Sequence, residues 1–380
     1  MKNLKFRNAK LSEYNDLKIF FESFYGENYY EVEYKYFRWL QYENPLRHLE
    51  ASEDEFTSFV AFDSDEIVGS INYVPMEFYI NGIPYQSTWS VGWLVKNGYS
   101  AISGMLLKKN FLRFNYYMSM GATQWVKSIY TKQLGFEYQH NIPRTVMVGK
   151  AGELIDLIKR NPDLKTSDFS KIYDWQGDTL KIAEKSNYYC VTAIDDLNDK
   201  YWENHLRRHK VTINRDRKYM KWRYFDHPHI QYDVISGDKS QDSGIAVLRI
   251  ETAKDSDVKV ARLTDFFPID GNEEVLTGAV ARYLIDKGAV FLDFFCGSSN
   301  FINNYMDVPF IHESEHMIFS FPRLLHPIEW RERYSINASL GRNARKSDSL
   351  PQIQISDIYF TKGDPSQDIV LNREYFTRGV

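Results

Sequence analysis

The stretch TWSVGWLVKNGYSAISGMLLKKNFLRFNYYMSMGATQWVKSIYTKQLGF, residues 88–136, decides the fold. It divides into an extended run (88–95), a loop (96–104), a helical segment (105–114), a short extended run (116–121) and a second helical segment (125–134) closed by Gly135-Phe136. The helices rest on spacing: Ile102, Met105 and Leu106 form one stripe, and Trp125, Val126, Ile129 and Tyr130 recur at three- and four-residue steps. A strand feeding a loop and then a helix sets unpaired helical N–H groups beside the loop, at the positive end of the helix dipole. That end is a candidate phosphate seat.

Working outward, residues 83–95 follow Asn81-Gly82, a strong hairpin signal because both central positions of the turn need positive φ. The long run 67–80 is therefore its antiparallel partner, and 57–62 a further strand beyond the turn Asp63-Ser64-Asp65. Two helical stretches precede them, one starting near Ser12 and one over 34–42 that stops before Asn44-Pro45. Helices, an antiparallel meander and a crossover make an α/β arrangement with a mixed sheet. After Phe136, Arg144-Thr145-Val146-Met147-Val148 reads as the strand that closes this sheet.

The second half repeats the first. Tyr219, Trp222 and Pro228 in YMKWRYFDHP (219–228) fall at the places of Tyr36, Trp39 and Pro45 in YFRWLQYENP (36–45). Strands over 232–235, 244–250 and 259–267, a loop around Asp270-Gly271-Asn272, a helix over 273–287 and a strand over 289–295 then follow in the same order. Two copies of one domain are expected, at 1–148 and 190–326, with a connecting segment at 149–189 and a polar C-terminal extension at 327–380.

With 43% hydrophobic and 26% charged residues over 380 positions, the composition is globular. A net charge of −4 supplies no field to draw the chain to nucleic acid or to an anionic membrane. The two cysteines, Cys190 and Cys296, fit a reducing compartment. The N-terminus lacks the apolar core of a signal peptide, and no apolar run reaches the ~18 residues of a membrane span. A cytoplasmic location without membrane insertion is expected.

The order of strand, loop, helix, strand and helix ending in Tyr130-Thr131-Lys132-Gln133-Leu134-Gly135-Phe136 resembles the GNAT superfamily of acyl-CoA-dependent acyltransferases. The resemblance implies an α/β fold of two tandem GNAT-like domains, each a mixed, mostly antiparallel twisted sheet flanked by helices. It covers residues 4–148 and, more loosely, 190–322. The superfamily's loop R/Q-x-x-G-x-G/A, which cradles the pyrophosphate of coenzyme A, falls on Ser100-Ala101-Ile102-Ser103-Gly104-Met105. The basic or amide residue is missing there, and one glycine at most survives. Ser100, Ala101, Ser103 and Gly104 are the implied coenzyme-binding positions. Backbone N–H groups at Trp93, Leu94 and Val95 are implied to polarise the thioester, because the superfamily splays two strands apart at this point.

The resemblance also casts Tyr130 as the acid that protonates the departing thiolate. The pattern Tyr-x-x-x-Gly-Phe is stretched here by one residue. For a general base the residues themselves offer two carboxylates set between apolar neighbours on strands, Glu77 and Asp265. Cys296 and the pair His205/His209 are assigned no catalytic or metal role, since neither carries a supporting constellation. The expected function is transfer of an acyl group from acetyl-CoA or another acyl-CoA to an amine. The two-part layout resembles proteins found with bacterial surface-polysaccharide enzymes, which implies a small-molecule acceptor such as an amino sugar or sugar nucleotide. Two other readings stand beside it: a Fem-type aminoacyl transferase, which the layout also resembles, and a non-catalytic GNAT-like binding module.

Overall fold

Asn81 and Gly82 take φ values of 50° and 78°, and the hairpin they close is the longest ladder in the molecule, running from Ile80↔Ile83 to Gly69↔Val95. The structure, a computed structural model, describes residues 4–27, 29–161, 164, 166–252, 257–313, 317, 319–322, 336–347, 349–364 and 368. The remainder of the expected C-terminal extension, including 327–335 and 369–380, lies outside the described residues.

The chain opens with β1 (Leu4–Lys10), α1 (Tyr14–Tyr25) and α2 (Tyr34–Gln41). The meander β2 (Glu55–Asp63), β3 (Glu66–Ile80) and β4 (Ile83–Val95) follows. Next come α3 (Ser100–Phe111), β5 (Tyr116–Met120), α4 (Gln124–Ser128), β6 (Glu137–Gln139) and β7 (Arg144–Val148). Helices α5 (Ala151–Ile158) and α6 (Ser170–Ala183) lead to β8 (Tyr189–Val191), α7 (Lys200–Arg208), β9 (Val211–Ile213) and α8 (Arg217–Met220). A second meander, β10 (Asp233–Ser236), β11 (Gly244–Thr252) and β12 (Lys259–Pro268), precedes α9 (Glu273–Asp286), β13 (Phe291–Phe295), α10 (Ser299–Tyr305) and β14 (Ile311–His312). The chain then adds β15 (Ala338–Arg342) and β16 (Ile358–Tyr359).

Two mixed, mostly antiparallel sheets result. The first has the order β1-β2-β3-β4-β5-β15-β6, with β9 and β16 joined beside β3, and the second the order β8-β10-β11-β12-β13-β7-β14. Position for position they follow one plan, each with a parallel neighbour to its longest hairpin, β4 with β5 and β12 with β13. The sixth place departs from expectation. β7 does not close the first sheet; it pairs with β13 and β14 in the second. β15, expected to lie in a polar extension, is inserted between β5 and β6 of the first. The first sheet is completed by a strand from beyond the second, and the second takes the strand that follows the first directly in the chain, so the boundary expected at residue 148 is crossed by the backbone ladder.

The repeated Trp marks where the halves meet. Trp39 and Trp222 stack at 5.1 Å and 20°, and each indole N–H donates to the other's backbone carbonyl at 2.9 Å. One core contains both tryptophans together with Trp89, Met118, Leu263 and Phe360, while α3 and the turn after α4 close a separate core over the first sheet. Within α3 the buried stripe is Ile102, Leu106, Leu107 and Asn110; Met105, expected in it, is 46% exposed. Because the Trp39 and Trp222 bonds are reciprocal and buried, Trp39→Phe and Trp222→Phe should each destabilise the protein by about 1–3 kcal/mol in urea denaturation. The double variant should cost less than the sum, since the two changes act on one contact.

Candidate functional site

The first sheet opens beside its central hairpin. Parallel pairing between β4 and β5 stops at Ser90↔Ser119, whereas β4 runs on to Val95 paired to β3 alone. At that point the β3–β4 register slips: Ser90 faces Tyr73 and Gly92 faces Asn72, leaving Val91 as a bulge. Lys96 N–H donates to Val68 O at 2.9 Å. Alternation along an antiparallel strand then turns the Leu94 N–H toward β3 and the Trp93 and Val95 N–H groups toward the opening. Of the three amides expected to polarise a carbonyl, two face the gap and one belongs to the ladder.

Tyr130 stands on the same opening. It lies in a π-helical turn, Ile129–Gln133, that continues α4, with Leu134 N–H bonded to Ile129 O. That wider turn accommodates the extra residue between Tyr130 and Gly135. Gly135 at φ 67° then returns the chain so that Phe136 stacks on Tyr130 at 5.0 Å and 10°. The ring is buried, and burial pushes the phenol above its ordinary pKa, while the nearby hydroxyls of Ser119 and Ser90 offset part of the rise. A tyrosine so placed is protonated at neutral pH and can give a proton to a thiolate formed at the Ser90/Ser119 edge. Trp93 and Trp125 close the outer side, their rings stacked at 5.6 Å.

The coenzyme's expected phosphate seat takes a different form. The helix begins at Ser100, not at Met105, so Ser100, Ala101, Ser103 and Gly104 are its first residues and the loop is only Lys96-Asn97-Gly98-Tyr99. The Ser103 side chain is buried, while Ser100 and Ala101 are exposed and contribute the free first-turn N–H groups. Charges beside the loop do not add to them. Lys96 pairs with Glu66 at 2.5 Å and Tyr99 donates to Asp63 at 3.1 Å, in the wall of a pocket of about 710 Å³ that also holds Asp16 and Asp65.

In the second sheet the same opening is filled. Pairing of β12 with β13 stops at Leu263↔Phe294, and the β11–β12 register slips at Thr264, so Phe266 occupies the place of Trp93. Its N–H donates to the Tyr359 hydroxyl at 3.0 Å. Tyr359 arrives on the C-terminal segment, whose backbone also bridges Cys296 to Thr361.

Comparison with known proteins agrees with this geometry. The crystal structure of a GCN5-related N-acetyltransferase from Kribbella flavida is similar over 90% of this chain and 73% of that one, with a TM-score of 0.55 and 10% identity. One from Anabaena variabilis is similar over 82% and 71%, with a TM-score of 0.53 and 11% identity. A protein from Enterococcus faecalis described as a probable N-acyltransferase gives 82% and 70%, a TM-score of 0.51 and 10% identity. The chain has the GNAT fold. No family model matches the sequence, and no curated protein matches it.

Within the GNAT fold the candidate site residues separate. Tyr130 belongs to the core over the first sheet, and Trp93 and Val95 pack against that core. Glu77 does not reach the opening: Glu77 pairs with Gln86 while Trp93 pairs with Ile71. At the rise of a strand those positions stand about 20 Å apart. Burial and the nearby Asp216 raise the Glu77 pKa. Asp265 does not act as an open base either. It is fully buried in the second sheet, with Arg215 at 3.0 Å and the hydroxyls of Tyr224, Tyr359 and Thr361 on its two oxygens. Arg215 also binds Asp364 at 2.8 Å, so the carboxylate belongs to a buried knot that anchors the C-terminal segment. The Cys296 thiol is buried and its pKa raised by that burial.

Ser90 and Ser119, which the sequence reading passed over, are the residues that mark the opening. Their only signal was a small polar residue in the middle of an apolar strand. The rings of His205 and His209 lie 4.1 Å apart, tilted by 40°, inside the protein, with His205 bonded to the Thr212 hydroxyl at 2.8 Å. Burial lowers both pKa values, that of His209 to about 3 from the ordinary 6.5. Both are neutral when folded and take up protons near pH 6.5 when unfolded, so the unfolded state binds more protons below that pH. Stability should be full above pH 6.5 and fall toward pH 3, by up to about 1.4 kcal/mol per pH unit for each histidine. Urea midpoints between pH 4 and 7 should show this slope, and His209→Gln should flatten it.

Proposed function

We propose that the protein is an acyltransferase that moves an acyl group from acyl-CoA to an amine, with its chemistry at the opening between β4 and β5. The observation that carries this reading is the convergence of an inward-turned Trp93 N–H and a protonated Tyr130 at the Ser90/Ser119 edge. The corresponding donor of the second sheet is already bonded to Tyr359, which favours the first sheet as the acting one.

The thioester end of the donor fits the residues present. The Trp93 N–H, fixed before reaction, bonds the carbonyl oxygen and stabilises the negative charge that develops there. The amine nitrogen attacks the carbonyl carbon, the C–S bond breaks, Tyr130 gives its proton to the sulfur, and the phenolate left on Tyr130 takes up the proton that the nitrogen loses. The amine must arrive neutral, and neither Glu77 nor Asp265 stands where it could take its proton. The phosphate end rests on the Ser100 and Ala101 N–H groups at the start of α3, a weaker seat than a glycine-rich loop, because side chains limit close approach of backbone to phosphate. Acceptors of the amino-sugar class remain part of this proposal through the resemblance noted in the sequence.

Isothermal titration with acetyl-CoA should give micromolar binding to the wild type. Tyr130→Phe should keep that affinity within about twofold while acceptor-dependent release of the coenzyme thiol, followed across a panel of small amines, falls by about 100-fold or more. Absence of acetyl-CoA binding would overturn the reading, and unchanged turnover would remove Tyr130 from it.

A further inference from the structure

Trp93 carries a second donor that the fold does not use. Its indole N–H is buried and has no hydrogen-bond partner. Unmet buried donors are rare in folded proteins, because the group has given up water and received nothing for it, and each calls for an explanation. The indole packs against the core formed by Ile102 and Leu106 of α3 and by Ile129 and Tyr130 after α4, with its face on Trp125. The unpartnered indole is thus carried by the same residue whose backbone N–H is turned into the opening.

The second sheet supplies an internal control. The equivalent residue, Phe266, is fully buried in the same strand position, two residues past the same kind of bulge. An aromatic ring is what this place in the fold needs, and an indole nitrogen is not. In the half where the backbone donor is capped by Tyr359, the side-chain donor is missing too.

We propose that the Trp93 indole N–H is a hydrogen-bond donor to a carbonyl oxygen of bound acyl-CoA, either the thioester carbonyl or an amide of the pantetheine arm. This rests on the acyl-CoA reading of the site. Trp93 then contributes two donors to one ligand, and Trp125, 61% exposed and stacked on it, is a positioning residue that holds the indole in place.

The test is Trp93→Phe, which keeps the backbone N–H and the aromatic face against Trp125 and removes the indole N–H alone. Acetyl-CoA and free coenzyme A are titrated into both proteins, and the thermal midpoint of each is measured without ligand. Affinity for acetyl-CoA should fall about 5- to 20-fold, the effect of one hydrogen bond, with the midpoint unchanged or raised because an unmet donor has gone. A loss confined to acetyl-CoA assigns the donor to the thioester; an equal loss with coenzyme A assigns it to the pantetheine arm. Equal affinities for wild type and variant would overturn the proposal while leaving the acyl-CoA reading in place, and a lowered midpoint with unchanged affinity would do the same by marking the indole as structural. A wild type that binds neither compound would remove both. One measurement does not depend on the variant folding: among the eight tryptophan indole resonances of the wild type, acetyl-CoA should shift one downfield and slow its exchange with solvent. A spectrum that does not change at saturating ligand would count against the inference.

Discussion

Both sheets depend on a backbone ladder supplied from elsewhere in the chain. β5 would be left with an open edge if β15 did not pair with it from Ala338↔Met120 to Arg342↔Tyr116, and β13 would be left so without β7. An unpaired strand edge is both unstable and prone to pair with other chains. The exchange also fixes the candidate site, because Ser119, whose hydroxyl stands near Tyr130, is held on its other side by Ser339. Charge follows the same route. β7 carries Arg144 into the second sheet, where it meets Asp293 at 3.2 Å and Glu313 at 3.3 Å, and Asp293 is shared with Arg262. Asp368 then joins Arg262 and Arg249 at 3.0 and 2.7 Å. Breaking such buried pairs one partner at a time is costly, so this cluster ties the exchange to a single arrangement.

One architecture is thus used in two ways. In the first sheet the gap beside the bulge begins at Ser90 and Ser119, next to the core that holds Tyr130 and packs Trp93. In the second it is occupied by the chain's own C-terminal segment, where Tyr359 and Phe360 pack into the core and Gly297 leaves room for the Phe360 ring; a Cβ there would stand 1.9 Å from it. A side chain at Gly297 would push that segment out.

Features whose cause is local were legible in the sequence. The Asn81-Gly82 turn, the mixed sheet and the helix over 273–287 each follow from a few adjacent residues, as does the Tyr130 to Phe136 signature. The GNAT fold followed from their order. The exchanged strands were not legible, because the alternation in Arg144-Thr145-Val146-Met147-Val148 serves either sheet equally, and Ala338-Ser339-Leu340-Gly341-Arg342 is too small and polar to announce a central strand. The start of α3 was misjudged because Ser100 and Ala101 are as good in a first helical turn as in a loop. Asp265 looked free because its partners, Arg215, Tyr224, Tyr359 and Thr361, are scattered along the chain and converge only on folding.

The exchange has a consequence for the ribosome. Asn337, beside β15, bonds through its side chain to Ala122, 215 positions earlier. The first sheet therefore cannot be completed when its own residues emerge. At about 5–20 residues per second, the nascent chain waits on the order of 10 to 40 seconds with the edge of β5 open. That edge is Tyr-Tyr-Met-Ser-Met, an apolar strand with no charge to discourage a neighbour on the same messenger. Translation rate through the second half thus sets how long the protein is vulnerable to aggregation, a pressure that the finished fold, with the edge of β5 covered by β15, no longer displays.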